Sequence, residues 1–159
     1  MLTEHDVTIE INPALTPDEL FAFYERNNIC EVGFGKETAA RILQHPHLIV
    51  AAFAGEGLVG LARATFDGLS AHVMEFSLDL RCQGGDLKHA NGSLIEADDS
   101  GVGRRLGERL LNELEAMGAC FITGYIVANC EEPFYRLLGF RENEGHLVYY
   151  IDNRPYAQG

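Results

Sequence analysis

The chain has 159 residues, 47% of them hydrophobic, and a net charge of −12 at pH 7. This length fits one domain with a sizeable core, and the apolar fraction is ordinary for a globular protein. The acidic field repels nucleic acid, no run nears the roughly 20 apolar residues of a membrane span, and acids stand where a secretory signal needs an apolar segment. A cytoplasmic protein with no membrane and no nucleic-acid partner is the expectation. The four cysteines show no CxxC spacing, so reduced thiols are expected. The only close histidine pair, His45 and His47, has no carboxylate or cysteine nearby, and no metal site is expected.

Val7 to Ile11 alternates in the period of a strand. Thr16-Pro17-Asp18-Glu19 is a helix start, with a capping threonine, proline in the first turn and acids at the positive end. That helix runs to about Asn27, and its apolar face is Leu20, Phe21, Phe23 and Tyr24. Asn28 to Lys36 reads as a loop, with Gly33 and Gly35 around Phe34, and a second helix runs from Lys36 to Gln44. Leu48 to Ala54 is a buried strand, Gly55-Glu56-Gly57 a hairpin turn, and Leu58 to Phe66 the returning strand. Val73 to Leu80 is a further strand, with Phe76, Leu78 and Leu80 on one face and Glu75, Ser77 and Asp79 on the other.

Arg81 to Asp99 is polar and glycine-containing and reads mainly as a loop. Ser100 caps a helix from Gly101 to Met117, buried along Val102, Leu106, Leu110, Leu114 and Met117 and ended by Gly118. Cys120 to Val127 is a central strand, Glu132 to Leu138 a short helix, and Leu147 to Ile151 a last strand. That last run is either a core strand or an edge strand serving a homodimer. The order β-α-α-β-β-β-α-β-α-β gives an α/β domain on a mixed sheet, occupying residues 1–159 as one unit.

The most informative stretch is Asp98-Asp99-Ser100-Gly101-Val102-Gly103-Arg104-Arg105-Leu106. Bare glycines let a ligand approach the backbone, and a helix start offers unpaired N–H groups to an anion. Two arginines stand at the same place, a combination that suits a pyrophosphate. The next glycine is Gly107, too late for the dinucleotide fingerprint. Downstream lie Asn129 and Phe134-Tyr135-Arg136-Leu137-Leu138-Gly139-Phe140.

These residues, over about Leu48 to Ile151, resemble the GNAT superfamily of acyl-CoA-dependent N-acetyltransferases. Gly101 and Gly103 match the glycines of its motif, Gln/Arg-x-x-Gly-x-Gly/Ala. The first motif position falls on Asp98 or, preferably, on Gln83 with residues 85–99 as an inserted loop. The Phe-Tyr-x-x-Leu-Gly-Phe run matches the helix after the family's fifth strand. The resemblance implies a single-domain, mostly antiparallel mixed sheet with splayed central strands flanked by helices.

It also implies acetyl-CoA as the acyl-donor substrate. The donor would be held by Phe76, Leu78, Gln83, Gly101, Val102, Gly103, Arg104, Arg105 and Asn129. The Leu78 N–H would polarise the thioester carbonyl. Glu75, with Asp79 in reserve, would take the proton of the attacking amine, and Tyr135 would protonate the departing thiolate. The first 80 residues hold −8 of the net charge, which suits a cationic small molecule or peptide amine as acceptor. The alternative is a non-catalytic acyl-CoA-binding or sensing domain on the same fold.

Overall fold

The computed structural model describes residues 2–29, 34–45 and 48–154. Gly33 and His47 of the sequence reading, and Cys30, one of the four cysteines, lie outside them. Among the described residues no helix is long and apolar enough to cross a membrane.

The helix over Pro17–Arg26 (α1) starts as its sequence dictates. The Glu19 N–H donates to Thr16 Oγ1 at 3.1 Å, and the Thr16 N–H donates back to Glu19 Oε2 at 2.9 Å. This reciprocal pair satisfies two donors that a helix start leaves open. The second helix, α2, covers Lys36–Gln44. Strand β1 spans Thr8–Ile11, β2 Leu48–Ala54, β3 Gly57–Phe66 and β4 Ser70–Leu78. A short helix, α3, covers Leu80–Gln83, inside a stretch expected to be loop; Asp79 caps it by accepting from the Arg81 N–H at 2.9 Å. The long helix α4 spans Val102–Met117, β5 spans Phe121–Gly124, and α5 spans Glu132–Leu137.

The strands lie in the order β1-β2-β3-β4-β5. The first four are antiparallel neighbours, and β5 runs parallel to β4. Alternation of side chains along each strand sends β2 residues Val50 and Ala52 to one face and Ile49 and Ala51 to the other. On the second face, Ile49, Ala51, Leu58 and Leu61 meet Leu20, Phe23 and Tyr24 of α1 and Ala39 of α2. On the first, Val102, Leu106, Leu110 and Leu114 of α4 are all buried against the sheet, with Phe134 and Tyr135 of α5 closing one end.

The β4–β5 pairing is short. It joins Ser70 to Phe121 and ends at Val73 with Gly124, while β4 continues to Leu78. Two parallel neighbours that pair at one end and separate at the other form a wedge, the splay anticipated above. For this reason β5 is shorter than the expected Cys120 to Val127. The start of β4 is earlier than expected, because Asp67 Oδ1 accepts from the Leu69 and Ser70 N–H groups at 2.9 and 2.7 Å and turns the chain straight into pairing.

The expected last strand, Leu147 to Ile151, is not formed. Its residues have no regular structure and stand in solvent. A strand needs a neighbour for its backbone groups, and this run pairs with none of the described strands.

Leu106 sits fully buried at the centre of the α4 stripe, with a methyl against the backbone of Gly60 on β3. Leu106→Ala is expected to lower unfolding stability by about 2–5 kcal/mol, read from urea unfolding with an unchanged m-value.

Candidate active site

The wedge between β4 and β5, with the start of α4 beyond it, is where the sequence placed its ligand. The residues on the β4 side are held tightly. Glu75 Oε1 accepts from Tyr24 Oη at 2.7 Å and from Arg63 Nε at 2.6 Å, and its Oε2 accepts from Ser77 Oγ at 2.7 Å. Arg63 and Glu75 stand opposite each other on β3 and β4, so sheet register makes this ion pair. Burial and the Glu75 carboxylate together push the Tyr24 hydroxyl well above its usual range, and Tyr24 stays a donor.

Asp79 is more deeply buried. It accepts from Arg81 Nε and Nη2 at 2.9 and 3.0 Å, and Arg26 Nε approaches at 3.4 Å. Burial raises its carboxyl, but the hydrogen bonds and charge of Arg81, with Arg26, outweigh this and hold it below the usual carboxylate value. Asp79 thus ties β4 to α1 and caps α3.

The open side of the wedge is filled by the loop of residues 85–99. The Leu78 N–H donates to the Gly92 carbonyl at 2.8 Å, and the Gly92 N–H donates to the Asn27 carbonyl at 2.8 Å. Gly92 thereby lies between β4 and the end of α1. A Cβ there would fall 2.8 Å from Asn27 Cβ and 3.0 Å from the Leu78 carbonyl oxygen, so the approach requires glycine. Asn27 Oδ1 also accepts from the Leu80 N–H at 2.9 Å. Gln83, fully buried, donates from Nε2 to the Leu78 carbonyl at 3.2 Å and accepts at Oε1 from the Glu96 N–H at 3.1 Å.

Further along, Ile95 is fully buried in the core. Its N–H donates to Glu131 Oε1, and the Val127 N–H donates to Glu131 Oε2, both at 3.0 Å. One buried carboxylate so joins the 85–99 segment to the chain leaving β5. Burial raises that carboxyl more than its two backbone donors lower it.

The start of α4 has the shape that the sequence implies. Gly101 stands just before the helix at φ +80°, a left-handed conformation that favours glycine. The anion at this start is supplied by the chain itself. Asp98 Oδ1 accepts from the Gly103 N–H at 2.8 Å and Oδ2 from the Arg104 N–H at 2.7 Å. Ser100 Oγ accepts from the Val102 N–H at 3.1 Å. The side chain of Arg104 reaches Glu108, and that of Arg105 donates to the carbonyls of Glu4 and Val7.

Tyr135 is buried among Phe76, Phe134 and Phe140, edge to face with each. Together with Gly107 and Leu138 these rings leave no room for a water molecule. Burial and the charge of Glu131 push the Tyr135 hydroxyl above its usual range. Asn129 lies apart in an exposed turn at φ +61°, its N–H held by Glu132 Oε1 at 2.8 Å.

The structure thus brings Phe76, Leu78, Gln83 and the glycines of α4 around one wedge, and leaves Asn129 outside. Sequence reasoning missed Asn27, Gly92 and Glu131. It gave Asp98 as one possible first position of the glycine motif, and nothing in the spacing signalled that its carboxylate accepts from the Gly103 and Arg104 N–H groups. His89, Glu96 and Cys130 bring donor atoms within 4.8 Å of one another. The Glu96 oxygens already accept from the N–H groups of Lys88, His89 and Ala90. Burial pushes the Cys82 thiol up to about 11 and raises the Cys130 thiol, so neither is a ready nucleophile.

The splayed sheet and glycine-opened helix define a class: the chain has the fold of GNAT-family acetyltransferases. It is similar to a GNAT-family acetyltransferase of Streptococcus pneumoniae, at 21% identity and TM-score 0.65 over 93% of this chain and 99% of that one. It is similar to the ribosomal-protein-S18-alanine N-acetyltransferase of Escherichia coli, at 18% identity and TM-score 0.64 over 86% and 78%. It is also similar to the glucosamine-6-phosphate N-acetyltransferase of Arabidopsis thaliana, at 15% identity and TM-score 0.61 over 91% and 99%. No protein-family model and no curated protein matches its sequence.

Asp79 gives a pH dependence. A carboxyl held low in the fold stabilises it above the unfolded value, near 3.8, and that contribution is lost as pH falls through the lower folded value. Asp79→Asn is expected to unfold at lower urea at pH 7 and to show a shallower loss of stability below pH 4 than the parent chain.

Proposed function

We propose that the protein is an N-acetyltransferase that moves the acetyl group of acetyl-CoA directly to an amine, and that residues 85–99 must withdraw before the donor enters. The observation that carries this reading is the wedge: β4 and β5 part in front of a glycine-opened helix start, with a tyrosine at the base. In the structure described, the N–H groups proposed to hold the donor are already engaged. Gly92 takes the Leu78 N–H, and the Asp98 carboxylate takes the place of an anion at α4. The same groups become free together if the insertion leaves, because Gly92, Glu96 and Asp98 belong to one segment.

In the opened form, the Leu78 N–H would meet the acyl carbonyl, and the N–H groups of Gly103 and Arg104 would meet the pyrophosphate. Phe76 would line the wedge. Val102 and Gly101 would set the helix start, Arg105 would stay a strut to the N-terminal segment, and Gln83 would exchange its hold on the insertion for one on the donor. Glu75 would accept the proton that the amine nitrogen loses as it attacks. Tyr135, protonated, would supply the proton that the leaving sulfur takes. The acceptor is proposed to be a cationic small molecule or peptide amine, on the strength of the acidic first half of the chain. The similar proteins named above act on a protein amine and a sugar amine, so the fold accommodates either class.

The second reading, an acyl-CoA-binding or sensing domain without turnover, is favoured by the same filled wedge. Calorimetric titration with acetyl-CoA and thiol release with a panel of amines separate the two. Asp98→Ala is expected to bind acetyl-CoA at least about tenfold more tightly than the parent chain, because it removes a competing anion from the helix start. Tyr135→Phe is expected to lower turnover by about 10²–10⁴-fold at unchanged donor affinity. Binding without thiol release on any amine would leave the sensing reading. No binding by either the parent or Asp98→Ala would remove both.

A further inference from the structure

We propose that His89, Glu96 and Cys130 form a zinc site that fastens residues 85–99 to the turn after β5. A ring nitrogen of His89, a carboxylate oxygen of Glu96 and the Cys130 sulfur all lie within 4.8 Å of one another. Donors bound to one zinc ion, each at about 2.0–2.3 Å, stand about 3.3–3.8 Å apart. Small side-chain rotations close the three atoms to that spacing, and the His89 ring, which is exposed, can make the largest of them.

The fold brings these residues together. His89 and Glu96 both belong to the 85–99 segment, seven residues apart, and Cys130 lies in the turn between β5 and α5. Glu96 is already aimed. Its Oε1 accepts from the Lys88 N–H at 2.8 Å, and its Oε2 from the His89 and Ala90 N–H groups at 3.0 and 3.2 Å. An ionised carboxylate has about four acceptor sites, so a lone pair is left for an ion, and hydrogen bonds of this kind orient a ligating carboxylate. The other two donors are uncommitted. Neither the His89 ring nor the Cys130 sulfur hydrogen-bonds to a described residue, and Cys130 is a free cysteine.

Charge and donor type choose the ion. The Cys130 sulfur feels the negative charge of both Glu96 and Glu131, in a chain of net charge −12, so a cation is favoured there. Magnesium and calcium take oxygen ligands, whereas imidazole, thiolate and carboxylate together suit zinc. On binding, the Cys130 S–H bond breaks, the sulfur electron pair goes to the ion and the proton goes to solvent. Neither oxidant nor reductant is consumed. Three protein ligands leave a fourth position for water. The ion would stand near Glu131, whose carboxylate already joins the Ile95 and Val127 N–H groups, and would add a second link between the same two segments. That link would oppose the withdrawal of residues 85–99, a consequence that rests on the proposed function; the site itself does not.

The experiment titrates zinc into the full chain, untagged, reduced and stripped of metal by a chelator, and repeats the titration with cobalt as a spectroscopic probe. One equivalent of zinc is expected to bind. The cobalt form is expected to show a sulfur-to-cobalt charge-transfer band and the intense visible bands of a four-coordinate ion. His89→Ala and Cys130→Ser are each expected to raise the zinc dissociation constant about tenfold or more. Cys120→Ser, which removes an exposed thiol of another segment, is expected to leave it unchanged. Hydrogen exchange at residues 85–99 should slow when zinc is added to the parent chain and not when it is added to the two site variants. His89→Ala removes an exposed ring, and its far-UV circular dichroism should match that of the parent, so loss of binding there is not loss of fold. A parent chain that binds no zinc overturns the proposal. So does parental affinity in either site variant, a cobalt spectrum without the sulfur band, or zinc binding that leaves exchange at residues 85–99 unchanged. None of these outcomes depends on acetyl-CoA, so this proposal and the proposed activity fail separately.

Discussion

Parallel strands that pair for a few residues and then part leave backbone donors and acceptors facing a gap, and a buried gap of that kind has to be filled. In this protein the parting point is Val73 opposite Gly124. Everything distinctive about the site follows from it. The Leu78 N–H needs an acceptor, the chain leaving β5 needs one for Val127, and α4 needs an anion at its start. One segment, residues 85–99, satisfies the first through Gly92 and the last through Asp98, while its own Ile95 shares Glu131 with Val127.

The 85–99 segment is therefore integrated into the packing. It places Ile95 in the main core and engages both the main-chain and side-chain groups of Gln83. Its contacts to the wedge are individually modest, about 0.5–1.5 kcal/mol for each neutral hydrogen bond and more where a carboxylate accepts. Their sum would set the cost of the opening proposed above. A ligand that replaces them with equivalent donors and acceptors recovers most of that cost, whereas water entering a half-apolar gap recovers less. The position of the segment and the identity of its replacement are thus one equilibrium seen from two sides.

Most of the fold was readable from the chain because its signals are local. The Thr16–Glu19 box, the four-residue stripe of α4 and the hairpin glycines each fix their element without distant help. Helix α2 and strand β2 fall where the pattern puts them. The site was readable only in outline. The glycines at 101 and 103 and the aromatic run around Tyr135 mark the wedge, but no periodicity reveals that Glu131 reaches Ile95 across 36 residues or that Asn27 holds Gly92. Asp98 was visible, yet its meaning depends on where the loop lies. Leu147 to Ile151 has a strand composition and no strand, because strand formation depends on a partner that the local sequence does not specify.

The carboxylate of Asp98 has one further consequence. Because it is tethered to the helix it caps, it confronts any incoming anion at a constant, high effective concentration that dilution of the protein does not reduce. On the proposed reading, an external phosphate would bind with its intrinsic affinity multiplied by the fraction of molecules whose seat is vacant, and each factor of ten in that fraction corresponds to about 1.4 kcal/mol. Occupancy would then be governed by the size of the ligand pool relative to a threshold written into the chain, and a shift in the loop's stability would move that threshold without altering a single ligand contact.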